Sequence, residues 1–229
     1  MRVLDVGTGP GFAAMDLARI VGPTGRVLGL ELSEAYVAAG QAMAHREQLP
    51  QLELRQHNLL RDPWPTEGFD LAWCRWVAMF LPDLDPLLTG LEQSLRLGGQ
   101  LVLHEYVHWD TFGLHPNGRA IARFGQACQR SFREAGGDPD VNRHLPALLA
   151  AQGWRIEALQ PLPVAGMARS MAAQWLERFV QVYGLRLQEL GLWSSTDATE
   201  AAAEIAAAAQ EAGSFWVGPT LLELIARRV

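Results

Sequence analysis

Val3-Leu4-Asp5-Val6-Gly7-Thr8-Gly9-Pro10-Gly11-Phe12 is the stretch whose reading decides the fold of this chain. A short apolar run ends in an acidic residue, three glycines follow at alternate positions, and a helical pattern then begins. Glycine lacks a Cβ, so it admits positive φ and lets a ligand approach the main chain closely. At the C-terminal end of a buried strand such a loop makes a backbone cradle. The helix starting near Phe12 aims its unsatisfied N–H groups at whatever the cradle holds. Glu31 stands 20 residues beyond Gly11, at the end of the next apolar run. A carboxylate there can accept hydrogen bonds from both hydroxyls of a ribose, so the pair of features points to a nucleoside-containing ligand.

Outward from that loop, apolar segments alternate with helical patterns. Arg2–Val6 and Arg26–Glu31 read as buried strands, Leu52–Gln56 as a third and Phe69–Cys74 as a fourth. Ala14, Leu17, Ala18 and Val21 share a helix face that Gly22-Pro23 terminates. Ser33 is placed to cap a helix running to about Leu49. Asp85-Pro86 reads as N-cap and first helical residue, Leu87, Leu91 and Leu95 as the buried face, and Gly98-Gly99 as the stop. Leu101–Tyr106 reads as a fifth strand, Trp154–Leu159 as a sixth and Leu221–Arg227 as the last. Between them Ile121, Phe124, Cys128 and Phe132 form one helical stripe, Trp175, Phe179, Tyr183 and Leu187 another, and an alanine-rich helix spans about 197–212.

The β-α-β-α order implies an α/β fold: a doubly wound, mostly parallel sheet of seven strands with helices on both faces. The expected division is a core over residues 1–106, a helical insertion over 107–150, a core strand over 151–160, a second helical insertion over 161–213, and a final core strand over 214–229. The net charge of −6 and the absence of a Lys/Arg block argue against a nucleic-acid groove. Cys74 and Cys128 are the only cysteines, which suits a reducing cytoplasmic setting. No apolar run reaches the roughly 18 residues of a membrane span, and no secretory leader is expected because Met1 leads directly into the first strand.

Dinucleotide sites commonly read G-x-G-x-x-G, whereas this loop reads G-x-G-x-G after an acidic residue. That spacing resembles motif I of the class I S-adenosylmethionine (SAM) dependent methyltransferases. The resemblance continues through Gln56-His57-Asn58-Leu59, through Phe69-Asp70-Leu71-Ala72-Trp73-Cys74-Arg75-Trp76-Val77 with Leu81-Pro82-Asp83, and through Leu95-Arg96-Leu97-Gly98-Gly99-Gln100-Leu101-Val102-Leu103. It covers residues 2–106 in order and implies an antiparallel edge strand for the last segment. It further implies SAM as cofactor. Asp5, Gly7, Thr8, Gly9 and Gly11 would hold its methionine part, Glu31 its ribose, Leu32 the adenine face, Asn58 and Leu59 the adenine edge, and Arg75, through its backbone, the sulfonium end. The family usually has Asp where Asn58 stands and Pro where Leu97 stands. It also carries a helical segment before the first strand. Covering of the cleft therefore falls either to upstream sequence or to the insertions and a partner subunit, which makes a homo-oligomer an open possibility.

The activity implied is methyl transfer to a small-molecule acceptor, with Trp109, Phe112, Trp175, Phe179 and Tyr183 expected to build a lid and acceptor pocket. No Asn/Asp-Pro-Pro-Tyr motif for methylating base amino groups follows the fourth strand. His104-Glu105-Tyr106-Val107-His108 matches the H-E-x-x-H zinc motif, but it continues an apolar strand. Four strand residues span roughly 13 Å, too far for two bonds of about 2.0–2.1 Å to one zinc, so no metal is expected. His104, Glu105 and His108 are instead candidates to orient or deprotonate the acceptor, because the end of the fifth strand borders the acceptor pocket in the family. Two rival readings remain: a non-catalytic SAM-binding or scaffold protein, and an NAD(P)-dependent oxidoreductase sharing the sheet and the acidic ribose partner.

Overall fold

Apolar side chains on every residue but the first and the acidic fourth make β1 (Arg2–Val6) a strand buried from Val3 onward. The computed structural model describes all residues, Met1–Val229. After β1 the chain continues through α1 (Phe12–Val21), β2 (Arg26–Glu31), α2 (Glu34–Arg46), β3 (Leu52–Gln56), β4 (Phe69–Arg75), a 3-10 turn over Ala78–Phe80, α3 (Asp85–Ser94) and β5 (Leu95–His108). Then come β6 (Gly113–His115), α4 (Arg119–Glu134), α5 (Leu145–Ala151), β7 (Arg155–Leu162), β8 (Ala165–Met167), α6 (Met171–Glu189), α7 (Ser195–Ala208), β9 (Phe215–Val217) and β10 (Thr220–Arg227).

Seven strands form one mixed, mostly parallel sheet in the order β3-β2-β1-β4-β5-β10-β7. The pairs β1–β2, β1–β4, β2–β3 and β4–β5 are parallel, in the register Val3↔Val27, Val3↔Leu71, Gly29↔Leu54 and Cys74↔Leu103. Crossover helices make that direction possible, and burial on both faces explains the unbroken apolar runs. Ala14, Met15 and Ala18 of α1 and Val37 and Ala44 of α2 pack with Val3, Val27, Leu52 and Leu54 in one core cluster. The strand order reverses between β1 and β4, which puts a topological switch point beside the glycine loop.

Two local expectations change. α3 stops at Ser94 rather than at Gly98-Gly99, because Leu95 is already extended (φ −83°, ψ 142°) and pairs with Phe69 of β4. The glycine pair instead shapes an irregularity inside β5: Gly98 takes φ +75°, its amide donates to Arg228 O at 2.9 Å, and Arg228 returns a bond to Gly99 O at 3.0 Å. Asp85 is the first helical residue of α3 instead of its cap, and its amide is held by Asp83 Oδ1 at 3.0 Å.

The chain divides into two compact units, the first made of Met1–Glu105, Asn142–Gln160 and Glu223–Val229, the second of Tyr106–Val141 and Pro161–Leu222. The end of the first insertion differs from the expected one. Residues 142–150 belong with the sheet because Leu145 and Leu149 of α5 are fully buried there and Asn142 Nδ2 donates to Glu105 O at 3.1 Å. The second unit is not only helical. β6, β9 and β8 make a small antiparallel sheet in that order, so residues 215–217 pair within this unit rather than extend the last core strand.

Aromatic packing fills the second unit. Trp109 is 2% exposed and touches the rings of Tyr106, Phe112, Phe132 and Phe179, and Phe179 stacks on Tyr183 at 5.4 Å. Trp109 and Phe112, expected as pocket lining, are core residues of this unit, whereas Trp175 is exposed. α7 opens with a capping box between Ser194 and Asp197, and Glu204 of α7 receives an amide of the first turn of α4, Ala120 N, at 2.8 Å. No helix is long and apolar enough to cross a membrane.

Candidate active site

The loop between β1 and α1 is fastened from inside the first unit. Gly7, Gly9 and Gly11 take φ of +67°, +56° and +87°, the left-handed region that glycine reaches without steric cost. Thr8 Oγ1 donates to Asp5 Oδ2 at 2.6 Å, and Thr8 N to Leu30 O at 2.9 Å. Gly11 N closes the loop onto Thr8 O at 3.0 Å. Two of the glycines do different work. A Cβ on Gly7 would lie 2.3 Å from Val77 Cγ2, so Gly7 is required for packing against the segment after β4. A Cβ on Gly9 would meet nothing within 4 Å, so Gly9 faces open space, as a cradle must.

Asp5 is buried beneath this loop. Burial pushes its carboxyl up to about 6, against the Thr8 hydrogen bond and the Arg75 charge, which favour the ionised form, with Glu31 adding a small upward push. Its side chain therefore braces the loop from inside.

Glu31, the last residue of β2, stands at the lip. Its Oε2 accepts Gly9 N at 2.9 Å and its Oε1 accepts Ser33 N at 2.9 Å. A carboxylate offers about four lone-pair sites. Two are thus spent on orienting the group, and one on each oxygen remains for a ligand, the spacing a vicinal diol presents. A cleft of about 340 Å³ opens beside it, lined by Gly7, Glu31, Leu32, Asn58 and Leu59 together with His57, Trp76, Val77 and Phe80. Leu32 is 63% exposed, an apolar side chain held at the mouth without a protein partner to cover it.

Five residues expected at the site, Gly7, Glu31, Leu32, Asn58 and Leu59, therefore share one cleft. Asp5, Thr8, Gly9 and Gly11 form the loop that shapes it. Arg75 ends β4 with its guanidinium over the Trp76 ring, 4.8 Å from the centroid. Asn58 is partly engaged, since its Oδ1 accepts Leu60 N at 3.0 Å in a local turn. Its contact with an adenine amino group would use the second lone pair of that oxygen.

Residues that sequence reasoning missed form the far wall. Trp76 has φ +57°, a left-handed conformation that costs a bulky residue roughly 1–2 kcal/mol, and its amide is held by His104 O at 3.0 Å. Nothing in a Cys-Arg-Trp-Val string announces positive φ. His57 is buried, packs edge-on against Trp64 at 5.8 Å, and its burial holds the imidazole below its ordinary value.

The three acceptor-side candidates part company. His104 and Glu105 are consecutive in β5 and so point to opposite faces of the sheet. His104 Nε2 meets Glu223 Oε2 of β10 at 2.7 Å and its ring packs on Trp73 at 4.6 Å. Glu105 is 0% exposed and turns inward: its Oε1 accepts Val77 N at 2.7 Å and Ala78 N at 2.9 Å. Burial pushes this carboxyl up to about 7, opposed by the amides of Val77, Ala78 and Met79. Closed off in this way, Glu105 has no path to an acceptor. His108 is exposed and lies in the second unit. The H-E-x-x-H string is strand throughout, and no group of three or more His, Cys, Asp or Glu side chains is placed to hold a metal ion.

Comparison with known proteins bears on the family and the fold. A family model described as a methyltransferase domain matches residues 1–136. A demethylmenaquinone methyltransferase of Lactococcus lactis is 30% identical over 108 residues, 47% of this chain and 43% of that protein. Another, from Listeria welshimeri, is 26% identical over 152 residues, 64% of each. The chain thus spans about half the length of the curated relatives it matches. Among solved structures, geranyl diphosphate C-methyltransferase of Streptomyces coelicolor, determined with Mg²⁺, geranyl diphosphate and S-adenosyl-L-homocysteine, superposes with a TM-score of 0.61 at 18% identity, over 100% of this chain and 72% of that one, a likeness of fold.

Proposed function

This chain belongs to the methyltransferase-domain family, and on that premise we propose that it binds SAM in the cleft beside Glu31 and transfers the methyl group to a small-molecule acceptor. The observation that carries the reading is the Glu31 carboxylate, oriented by Gly9 N and Ser33 N with one acceptor site left on each oxygen, next to a glycine whose missing side chain leaves room for a ligand. The residues fit a nucleoside: Glu31 would take the ribose diol, Leu32 the adenine face, Asn58 and Leu59 the adenine edge. Main-chain groups of Gly7–Gly11 and of Arg75 would hold the methionine end, with Asp5 and Thr8 bracing the loop.

SAM, when bound, supplies a methyl group on a sulfonium, a leaving group already charged, so little acid catalysis is required. The protein's task is then to hold the nucleophile in line and to exclude water. A proton must still leave an O–H or N–H acceptor. Where the Nε2 proton of His104 is shared with Glu223, the neutral ring keeps Nδ1 as an acceptor, and the carboxylate stabilises the imidazolium that forms. His104 is the proton acceptor we assign, with Glu223 orienting it. The acceptor is placed among small molecules because no cationic patch for nucleic acid is encoded and the chain is acidic overall. Both cysteines are buried and free, in keeping with a reducing, cytoplasmic compartment.

The test is calorimetry with SAM, S-adenosylhomocysteine and NADH, followed by transfer of labelled methyl from SAM to a metabolite library. SAM binding with labelled product supports the proposal. SAM binding with no product from any acceptor would favour a scaffold, and selective binding of NADH would replace the reading by an oxidoreductase.

A further inference from the structure

We infer that Glu105 is a positioning residue for the nucleoside cleft: its buried carboxylate clamps the turn after β4 and so sets the wall against which the glycine loop packs. The inference rests on the SAM reading above and adds a residue to it that the acceptor-side expectation placed elsewhere.

Three observations meet at this point. The first is the clamp itself. Glu105 Oε1 gathers the amides of Val77 and Ala78 at 2.7 and 2.9 Å, with the Met79 amide beside them. These are the leading amides of the 3-10 turn over Ala78–Phe80, groups that a helical start leaves without main-chain partners. No side chain within the turn caps it, so the cap comes from a neighbouring strand. The second is what the clamped turn touches. Val77 fills the space where a Gly7 side chain would stand, at 2.3 Å from that missing Cβ, and Trp76, Val77 and Phe80 line the cleft. A shift of the turn by one ångström would therefore close or open the cavity at its glycine wall. The third is how firmly Glu105 is itself held. It is 0% exposed, and Asn142 Nδ2 donates to its main-chain oxygen at 3.1 Å, at the positions where the chain leaves and re-enters the first unit.

Oε2 of the same carboxyl is buried with no hydrogen-bond partner. The cap on the turn amides is therefore made through Oε1. A side chain bearing a single carbonyl oxygen at this distance should therefore serve, and a shorter one should not.

The experiment compares Glu105→Gln, Glu105→Asp and Glu105→Ala with the wild-type chain. Two quantities are read: hydrogen exchange of the Val77 and Ala78 amides in the ligand-free protein, and the dissociation constant for SAM by calorimetry. Gln keeps the carbonyl oxygen and is expected within about threefold of wild type in both. Asp withdraws the acceptor by one methylene, and Ala removes it. Each is expected to speed exchange at Val77 and Ala78 at least about tenfold, with β4 amides unchanged, and to weaken SAM binding by a similar factor. Should Ala fail to fold, Asp carries the comparison. Unchanged exchange at Val77 and Ala78 in the Asp variant would overturn the clamp, as would faster exchange with undiminished SAM affinity. A wild-type chain that ignores SAM while the exchange pattern follows expectation would sink the SAM reading and leave the clamp standing.

Discussion

The glycine loop of the first unit and the aromatic core of the second are built by opposite means. Around Gly7–Gly11 the structure is made of main-chain atoms, held by Thr8, Leu30, Glu31 and Ser33, and its useful property is an absence: the missing side chain of Gly9 leaves open space. Around Trp109 the structure is made of interlocking rings with no room to spare. Changes at the loop should therefore strike ligand binding, and changes at the rings should strike folding.

The largest effect is expected at Trp109→Ala. Removing a fully packed indole costs about 3–5 kcal/mol of stability, read as a lower denaturant midpoint, while the fraction that stays folded keeps its SAM affinity within a few-fold. Loss of SAM binding without loss of stability would break the contrast. Next comes Gly7→Ala. The new methyl collides with Val77, and φ of +67° is strained for alanine, so about 2–4 kcal/mol is expected. Here SAM binding should fall by more than the stability loss explains, because the wall of the cleft must move.

A pH series sharpens the picture inside the first unit. Asp5 and Glu105 hold their protons more tightly folded than unfolded, with values raised from 3.8 to about 6 and from 4.5 to about 7. Their protonated forms stabilise the fold fully below the unfolded values, and that contribution is lost as pH rises through 6 and 7. Stability should drop by about 4 kcal/mol between pH 5 and pH 8, and Glu105→Gln should flatten the slope. A wild-type slope of the opposite sign would contradict the burial assigned to both groups. The smallest effect is expected at the surface of the second unit. Ser194→Ala removes half of the capping box of α7 and should cost about 1 kcal/mol with SAM binding untouched.

The contrast also explains what could be read from the sequence. Backbone-made features leave strong traces, since alternate glycines, a terminal carboxylate and unbroken apolar strands are local patterns. β1, β2 and the place of Glu31 follow from them directly. Features made by meeting side chains leave none. β6, β8 and β9 are three residues each, too short for any periodicity. Positive φ at Trp76 is imposed by its surroundings, not by its chemistry. Glu105 reads as an acceptor-side candidate because the end of the fifth strand borders the acceptor pocket in the family. Only the turn after β4, 28 residues upstream at Val77, shows why a carboxylate is buried there.

One titration tests the central claim most directly: SAM against the wild-type chain and against Glu31→Ala, followed by calorimetry at neutral pH. The account predicts one SAM bound per wild-type chain and at least about tenfold weaker binding in the variant, the worth of a charged hydrogen-bonded contact. Equal affinity in the two proteins, or no heat from the wild type at millimolar SAM, would contradict it.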